Sequence, residues 1–290
     1  MLNNIFEEIT ILLIAYKSTN KIIDIIKKIP KKLKIIIIEN SDDIVLEKKI
    51  KKYNNVEIFL KKNIGVSSSI NFASNKIKTK YFLQISPDIE FDFRKLGIFL
   101  KVAGKLNDKF SALGPRFINA NKKSHKQIEK NIKIGSIKSV HGSCMFINKK
   151  IFNKIGKFDK NFFLYFEETD YCRRGNLKNL KCYQINSIKV KSIGRTVKVK
   201  SKAGIKELEN LLAWHFIWSE FNYNRKIYGK IITIIIFLPA LVRSLIKKYL
   251  FKFLNNKRNF DKYNYRLKGL IAAVIGKKSY FRPKAQNINY

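Results

Sequence analysis

The first third of the chain alternates short, continuous apolar runs with longer stretches of helical periodicity. Continuous apolar runs of this length are typical of strands that are buried on both faces of a sheet. The pattern predicts strands at Ile9–Ala15, Leu33–Ile38, Val56–Leu60 and Tyr81–Ile85, with helices at Asn20–Ile29, Asp43–Tyr53 and Val66–Lys78 between them. Such alternation predicts an α/β fold, a mostly parallel Rossmann-like sheet with helices on both faces. Ligands bind these sheets beyond the carboxyl ends of the strands, where Tyr16, Glu39, Asn63 and the run 86–88 lie.

The pattern becomes less regular in the middle of the chain. Apolar runs predict strands at Phe110–Phe117, Val140–Ile147 and Lys181–Val190, and a helix from about Glu168 to Lys178. Asn179 follows that helix, and asparagine is second only to glycine at the left-handed position that ends helices. The middle of the chain is therefore predicted to continue the sheet.

The C-terminal part is helical, basic and amphipathic. From Phe221 to Tyr290 it contains 16 Lys or Arg and one acid, Asp261. The uncharged run Ile231–Val242 is too short to cross a bilayer as a straight helix. After it, one helical face is apolar, and the cations lie mainly on the other: Val242, Leu245, Ile246, Tyr249, Leu250 and Phe253 against Arg243, Lys247, Lys248 and Lys252. This pattern predicts a helix lying in a membrane interface, and the alternative is a basic helix packed on its own domain.

Composition narrows the class of partner. Lys and Arg number 60 and Asp and Glu only 21, so the formal charge is +39, although part of the lysine excess is compositional bias. Such a surplus indicates an anionic partner, which can be nucleic acid, phospholipid or a phosphorylated substrate. The 46% apolar fraction argues against disorder, and 290 residues allow one large domain with an appendage.

Cysteine usage and the N-terminal pattern indicate the compartment. The three cysteines (Cys144, Cys172 and Cys182) have no zinc-site spacing and suit a reducing environment. Glu7 and Glu8 precede the first apolar run, so no secretory signal is visible. We expect a cytoplasmic protein, peripheral to the inner face of the cell membrane.

One short stretch, "NFFLYFEETDYCRRG" from Asn161 to Gly175, combines apolar and acidic residues. Three acids, Glu167, Glu168 and Asp170, follow a run of large apolar side chains, which argues against a simple solvated helix start. Asp170 precedes Arg173 and Arg174 by three and four residues, the spacing of a helical salt bridge. Glu167 either binds substrate or only favours the helix N-terminus through the helix dipole.

These motifs occur in an order that resembles a known enzyme family. "ILLIAYKST", "IIIIENSDD", "NIGVSSSINFA", "FLQISPDIEF", "SALGPRF", "VHGSCMFINKKIFNKIGKFDKNFFLYFEETDYCRR" and "KVKSIGRT" together resemble the family 2 inverting glycosyltransferases, over about residues 8–200. The chain looks most like the rhamnosyltransferase-like branch, which decorates cell-surface polysaccharide, and its basic C-terminal helices are also similar to that branch. The resemblance implies a GT-A domain at 1–200, with a nucleotide-sugar half at about 8–116, an acceptor and catalytic half at 117–200, and a membrane-associating helical region at 201–290.

The resemblance also implies roles for individual acids. Glu168 aligns with the general base that takes the proton from the acceptor hydroxyl, in a direct displacement that inverts the anomeric carbon. Burial beside Glu167 would raise its proton affinity and make it a better base. Asp88, in "SPD", aligns with the Asp-x-Asp-type motif and would hold Mg²⁺ or Mn²⁺ on the donor diphosphate. Taken alone, Asp88 after Pro87 reads as a turn-capping residue.

Further positions carried over by the resemblance concern the two substrates. Tyr16 and Glu39 would flank the nucleotide base, although Glu39 replaces a shorter Asp. Asn63 and Gly65 would bring the backbone close to the donor, because glycine permits approaches that other residues block. On the acceptor side the resemblance places His141, Gly142 and Ser143, and His141 can equally be an ordinary strand residue.

One departure from the family lies at Lys191, where many relatives carry a metal-binding His. A protonated lysine cannot ligate a metal, but its ammonium can bind the diphosphate directly. The alternative is that the strand register is shifted and Lys191 faces solvent.

The sequence thus predicts an inverting glycosyltransferase that moves a sugar from a dTDP- or UDP-linked donor to a glycan or a lipid-diphosphate-linked acceptor at an anionic membrane. One alternative is a transferase of the same fold that uses a UDP-hexose in place of dTDP-rhamnose. From other classes, a catalytically inactive membrane scaffold and a basic RNA-binding protein remain open. We expect no nucleic-acid partner, because the RNA-recognition signatures of common modules are missing.

Overall fold

A computed structural model describes residues 6–119, 126–194 and 202–282. Arg195 and Thr196 of the motif "KVKSIGRT" lie outside these residues. The chain forms two units: Met1–Asp159 with Glu167–Lys198, and Lys160–Phe166 with Val199–Tyr290. The boundary predicted near residue 200 did not foresee that the short segment Lys160–Phe166 packs with the C-terminal helices.

The first unit is a mixed α/β structure around one sheet. Its described residues contain nine strands: β1 (Ile9–Ala15), β2 (Lys34–Glu39), β3 (Val56–Leu60), β4 (Tyr81–Ile85), β5 (Ile89–Glu90), β6 (Leu113–Phe117), β7 (Ile134–Ile137), β8 (Cys144–Asn148) and β9 (Cys182–Ser192). The order is β3-β2-β1-β4-β8-β6-β9-β5, and β7 also pairs with β9. Strands β1 to β4 are parallel, β8 is antiparallel to β4 and β6, and β6 is parallel to β9. The predicted fold class is confirmed.

Six helices described in this unit connect the strands: α1 (Thr19–Lys28), α2 (Ile44–Ile50), α3 (Val66–Lys76), α4 (Leu96–Lys105), α5 (Lys149–Ile155) and α6 (Glu167–Leu177). Asp43 caps α2 by accepting a hydrogen bond from the Leu46 amide at 3.0 Å, as its residue type predicts. Asn179 has a φ of 58°, which confirms the left-handed position expected after α6. The sequence pattern did not identify β5, β7, α4 and α5.

The core lies on both faces of the sheet. Ile11 and Leu13 of β1 belong to one apolar cluster, while Leu12 between them belongs to another. Alternate strand residues point to opposite faces, so both faces of β1 are covered. This burial explains why six of the seven residues of β1 are apolar.

The second unit consists mainly of two long helices, α7 (Lys202–Phe253) and α8 (Lys257–Val274). Helix α7 is interrupted at Gly229, whose φ of 76° lies outside the helical region. The two helices pack closely at Gly269, where an added Cβ would lie 2.6 Å from the carbonyl oxygen of Trp214. Segment Lys160–Phe166 joins this packing, since the Ser219 hydroxyl donates to the Leu164 carbonyl at 2.8 Å.

The part of α7 after Gly229 exposes a continuous row of apolar side chains, the exposed apolar stripe: Ile231, Ile235, Leu238, Val242, Ile246, Tyr249 and Phe253. The row extends the apolar face predicted from Val242 to Phe253 toward the N-terminus. Within the described residues, α7 is the one helix that is long and apolar enough to cross a membrane by length and composition. Only 17% of the most apolar part of this helix is buried within the protein.

Candidate active site

Two loops meet at the carboxyl end of β4. One is the turn Ser86–Asp88, which leads from β4 into β5, and the other is the loop His141–Ser143 before β8. The Ser86 amide donates a hydrogen bond to the Ser143 carbonyl at 2.8 Å. The fold therefore joins the motif expected to bind the donor to the loop expected to face the acceptor.

Asp88 is held by the end of β9. The Ile193 amide donates to its backbone carbonyl at 2.8 Å, and the Ser192 hydroxyl lies 3.4 Å from its carboxylate. The Asn119 side chain fixes Ser192 in turn, by bonding both its carbonyl (2.7 Å) and its amide (3.0 Å). Burial raises the pKa of Asp88. A half-buried carboxylate with one weak hydroxyl contact retains capacity to bind a cation.

The strand that carries Lys191 is longer than the sequence predicted. Strand β9 continues through Ser192, two residues past the predicted end at Val190, and pairs Ser192 with Ile89 and Lys191 with Glu90. Because neighbouring residues of a strand point to opposite faces, Ser192 meets Asp88 while Lys191, like Glu90, is exposed. This arrangement agrees with the alternative of a shifted register, and contact of Lys191 with the diphosphate stays a prediction.

Glu167 and Glu168 begin α6. Glu167 is buried and Glu168 is half-buried. Burial raises the pKa of both carboxyls, and the neighbouring charge of Glu168 raises the pKa of Glu167 further, well above its usual range. The Glu167 Oε2 atom is buried without a hydrogen-bond partner among the described residues. A retained proton on Glu167 removes the cost of an unpaired buried charge there.

The carboxyl group of Glu168 lies against the loop before β8. A Cβ built on Gly142 would be 3.2 Å from the Glu168 Cδ and 3.4 Å from its Oε2. The neighbouring His141 is exposed and lies in this loop rather than in a strand, with its ring 4.6 Å from that of Phe117. Its Nδ1 atom is 2.6 Å from the Ser143 hydroxyl. Residues 141–143 and Glu168 thus form one surface.

The chain enters α6 through two residues with unusual backbone angles. Tyr165 and Phe166 have φ values of 69° and 66°, which bulky side chains rarely adopt. Their rings pack on Phe216, at 5.6 and 5.8 Å between centroids, inside the second unit. Such strain persists only where the surroundings hold it, and it occurs preferentially at functional sites. The sequence motif gave no sign of it.

Asp170 has the structural role that its spacing predicts. Its carboxylate accepts from the Arg174 guanidinium at 2.8 Å, and Arg174 also donates to the Ile155 carbonyl at 2.9 Å. This ion pair therefore ties α6 to the end of α5. The predicted salt bridge is confirmed for Arg174.

The residues expected to contact the nucleotide lie at the ends of β1, β2 and β3. Glu39 is buried, and its carboxylate accepts hydrogen bonds from its own loop, from the Ser41 and Asp43 amides at 2.8 Å. Burial raises its pKa, and these bonds oppose the shift. Glu39 thus stabilises the loop after β2, a function that the resemblance did not foresee. Its contact with a nucleotide base stays a prediction, as does that of Tyr16 after β1.

Asn63 and Gly65 shape the turn before α3. The Asn63 side chain accepts from the Gly65 amide at 3.2 Å, and Gly65 has a φ of 80° and a ψ of 170°. Side chains are strained at this φ, so the turn requires glycine. The turn brings backbone to the carboxyl edge of the sheet, as expected, and donor binding there stays a prediction.

Three residues of this region were not found from the sequence: Phe117, Asn119 and Ser192. Asn119 reaches Ser192 across 73 positions of sequence, so no local signal identifies the pair. Within the described ranges, no group of three or more His, Cys, Asp or Glu side chains could hold a metal ion.

Comparison with known proteins identifies relatives among glycosyltransferases. No protein-family model matches the chain. In sequence it is 22% identical over 217 residues to the low-salt glycan biosynthesis hexosyltransferase Agl10 of Haloferax volcanii, a match that covers 66% of this chain and 69% of the relative.

Solved structures share the fold at low sequence identity. The mannosyltransferase PcManGT of Pyrobaculum calidifontis, in complex with GDP-Man and Mn²⁺, matches with a TM-score of 0.59, 11% identity and coverage of 93% of this chain and 88% of its own. TarS 1–349 of S. aureus matches with a TM-score of 0.52 and 11% identity, and the match covers 95% of this chain and 93% of its own. GalNAc-T7 with UDP, GalNAc and Mn²⁺ matches with a TM-score of 0.54 and 12% identity. The match covers 74% of this chain, which spans only 51% of the length of GalNAc-T7. The first unit has the GT-A glycosyltransferase fold.

Proposed function

We propose that this protein is an inverting glycosyltransferase that moves a sugar from a nucleotide-sugar donor to a glycan, with Glu168 as general base. One observation supports the proposal most directly. The Glu168 carboxyl, whose pKa burial raises, lies against Gly142 in a loop that is hydrogen-bonded to the turn of Asp88. A base and a cation-binding carboxylate thus share one edge of a GT-A sheet, where the donor and the acceptor must meet.

The reaction needs one base from the protein. Ionised Glu168 accepts the proton of the acceptor hydroxyl as that oxygen attacks the anomeric carbon. The attack comes from the face opposite the nucleotide diphosphate, so the bond to the diphosphate breaks as the new glycosidic bond forms. A single displacement inverts the anomeric centre. Asp170 takes no part, because its carboxylate is engaged with Arg174.

The residues at Asp88 fit a divalent cation that is shared with the donor. Mg²⁺ and Mn²⁺ prefer oxygen ligands, and Mg²⁺ is commonly held by one or two carboxylates together with substrate phosphates and water. Asp88 supplies one carboxylate, and Ser192 places a hydroxyl 3.4 Å from it. When bound, such an ion neutralises charge on the departing diphosphate. The Mn²⁺ present with two structural relatives supports this assignment.

The donor is a hexose or deoxyhexose linked to UDP or dTDP. The resemblance of the motifs to the rhamnosyltransferase-like branch favours dTDP-rhamnose. The relative from Haloferax is a hexosyltransferase of glycan biosynthesis, which favours the broader hexose class and keeps a UDP-hexose as the alternative donor. Both donors use the same base and the same diphosphate contacts.

We place the second unit on an anionic membrane surface. The exposed apolar stripe covers about six helical turns, and Arg243 and Lys252 are exposed on the same helix. Large exposed apolar patches mark interaction sites, and an apolar face bordered by cations suits the headgroup region of an anionic bilayer. A peripheral position of this kind gives access to a glycan or a lipid-diphosphate-linked acceptor.

A nucleotide screen tests the proposed function. Ligands that bind only the folded protein raise its melting temperature. We expect UDP- or dTDP-sugars to stabilise the purified protein, and Mn²⁺ to increase the shift. Stabilisation by short RNA, with no response to any nucleotide sugar, would instead support the nucleic-acid alternative. Binding without any transfer or donor hydrolysis would support the inactive scaffold.

A further inference from the structure

We propose that Gly142 is a positioning residue for Glu168. Because glycine has no side chain, there is room beside it for the carboxyl group of the base. The inference rests on the proposed function and names a determinant of the base's position. It concerns the backbone of one loop and the side chain at the start of α6, both in the first unit.

The need for glycine at position 142 is steric. A Cβ there would lie 3.2 Å from Cδ and 3.3 Å from Cγ of Glu168, closer than ordinary van der Waals contact between carbon atoms, and 3.4 Å from Oε2. The backbone offers no other reason, because Gly142 is not among the glycines with positive φ, unlike Gly65 and Gly156. The side chain of Glu168 is therefore what excludes a larger residue.

The helix that carries Glu168 cannot readily move away. The Asp170–Arg174 ion pair fixes its first turn, and the buried Tyr171 hydroxyl donates to the Ser111 carbonyl at 3.0 Å. At Gly175 an added Cβ would lie 2.6 Å from the Cβ of Ser111, so α6 packs tightly there. A methyl group at position 142 would displace the carboxyl of Glu168 rather than the helix.

Backbone hydrogen bonds also fix the loop His141–Ser143, which carries Gly142. The Ser143 carbonyl accepts from the Ser86 amide at 2.8 Å, and the Cys144 amide donates to the His141 carbonyl at 3.1 Å. Since both backbones are fixed, the adjustment to a methyl group must come from the Glu168 side chain. Rates of reactions between positioned groups are sensitive to displacements well below 1 Å, so a shift of a few tenths of an ångström lowers turnover by about tenfold.

The test is the Gly142→Ala variant, with Gly104→Ala as its control. An added Cβ at Gly104, in α4, meets no heavy atom within 4 Å. We expect Gly142→Ala to lower kcat by about tenfold while the donor KM stays within about twofold, because donor contacts do not involve the base. Gly104→Ala should match the wild type. Both variants should melt at or near the wild-type temperature.

A double-mutant cycle with Glu168→Asp separates positioning from folding. Aspartate is one methylene shorter and withdraws the carboxyl from position 142. In the Glu168→Asp background, Gly142→Ala should therefore lower kcat much less than it does in the wild type. Such coupling identifies residues in contact.

Two results would overturn the inference: a Gly142→Ala variant with wild-type kcat, or a loss that is fully additive with Glu168→Asp. A lower melting temperature that accounts for the lost activity would also overturn it. The proposed function is tested separately, because Glu168→Gln should lower transfer by about a hundredfold or more whatever Gly142 does. Full activity of Glu168→Gln would contradict the proposed function. An inactive Glu168→Gln together with a fully active Gly142→Ala would contradict only this inference.

Discussion

The carboxyl groups of Glu167 and Glu168 are adjacent in sequence and differ in exposure. Glu167 is buried, and both desolvation and the charge of Glu168 favour its protonated form. Glu168 is half-buried, and its raised pKa has desolvation as the main cause. The pKa of Glu168 is raised less strongly than that of Glu167, so Glu168 is the member of the pair better suited to accept a proton from substrate.

The raised pKa of Glu168 predicts a pH dependence of transfer. The base must be ionised, so kcat/KM should rise with pH through a value above 4.5, the usual pKa of a glutamate. A profile of kcat/KM against pH measures this value in the free enzyme. An acid limb at or below the usual pKa would contradict the desolvated site.

The same shifts predict how stability responds to pH. Between the unfolded pKa and the raised folded pKa, the folded protein binds protons that the unfolded chain has released. Stability contributed by this acid pair should therefore fall as pH rises above 4.5. Glu167→Gln should flatten this fall in a series of melting temperatures, and an unchanged slope would show that Glu167 is not shifted.

Asp88 should be responsible for the metal dependence of donor binding. Asp88→Asn replaces a charged ligand by a neutral one, so donor affinity should fall by about tenfold or more with Mn²⁺ present, and much less without it. Isothermal titration with and without Mn²⁺ measures both. Equal affinities in all four combinations would show that the site does not depend on a metal.

At residue scale, the sequence predicts types of residue better than it predicts contacts. Asp170 and Arg174 pair as their spacing indicates, because their contact is local to one helix. The partners of Glu39 are also near in sequence, but the loop conformation that joins them cannot be derived from a residue pattern. Asn119 bonds Ser192 only because the sheet brings two distant segments together.

At the scale of elements, strand β9 shows how a boundary error affects a functional assignment. The strand continues for two residues past its predicted end, so the side chains of Lys191 and Ser192 point to opposite faces. Ser192 is the one that meets Asp88. By contrast, β1, β3 and β4 have the predicted bounds, since each is a mainly apolar run bordered by polar residues. Short edge strands such as β5, with two residues, lack enough sequence for any periodicity.

The register of β9 leads to a prediction that distinguishes Ser192 from Lys191. We expect Ser192→Ala to weaken Mn²⁺-dependent donor binding by about threefold, the modest effect of losing one long hydrogen bond to the Asp88 carboxylate. Lys191→Ala should remain within about twofold of the wild type, because its side chain is exposed on the other face. If Lys191→Ala instead slows transfer and increases the dependence on Mn²⁺, the lysine reaches the diphosphate, as the resemblance implied.

Helix α7 should bind anionic membranes through the exposed apolar stripe. Ile235→Glu together with Val242→Glu places two charges in the stripe and should reduce co-sedimentation with phosphatidylglycerol-containing vesicles by about tenfold or more. The matched control is Leu177→Glu, an exposed apolar residue in α6 outside the stripe. Binding by the wild type should weaken with salt.

Unchanged vesicle binding by the double variant would show that the stripe is not the docking surface. A wild-type protein that leaves the membrane only in detergent, and not in high salt or carbonate, would indicate that α7 crosses the bilayer and is not peripheral.

At the scale of the whole molecule, the chain forms a mixed α/β unit and a helical unit, and the segment before α6 belongs to the helical unit. The sequence predicts both, because strand–helix alternation and a basic amphipathic pattern each extend over many residues. It did not predict that Lys160–Phe166 belongs with the helices, since the contact of Leu164 with Ser219 spans 55 positions. Glu167 and Glu168 follow this segment directly, so the acids lie where the chain passes from one unit to the other.

The most direct test of the central claim is transfer by the Glu168→Gln variant, measured beside donor binding. Glutamine keeps the size of the side chain but cannot accept the proton, so transfer should fall by about a hundredfold or more. The donor should bind with wild-type affinity, because the donor contacts proposed at Asp88 and at the ends of β1 to β3 do not include Glu168. Near-normal turnover in this variant, with donor binding intact, would contradict the assignment of Glu168 as the base.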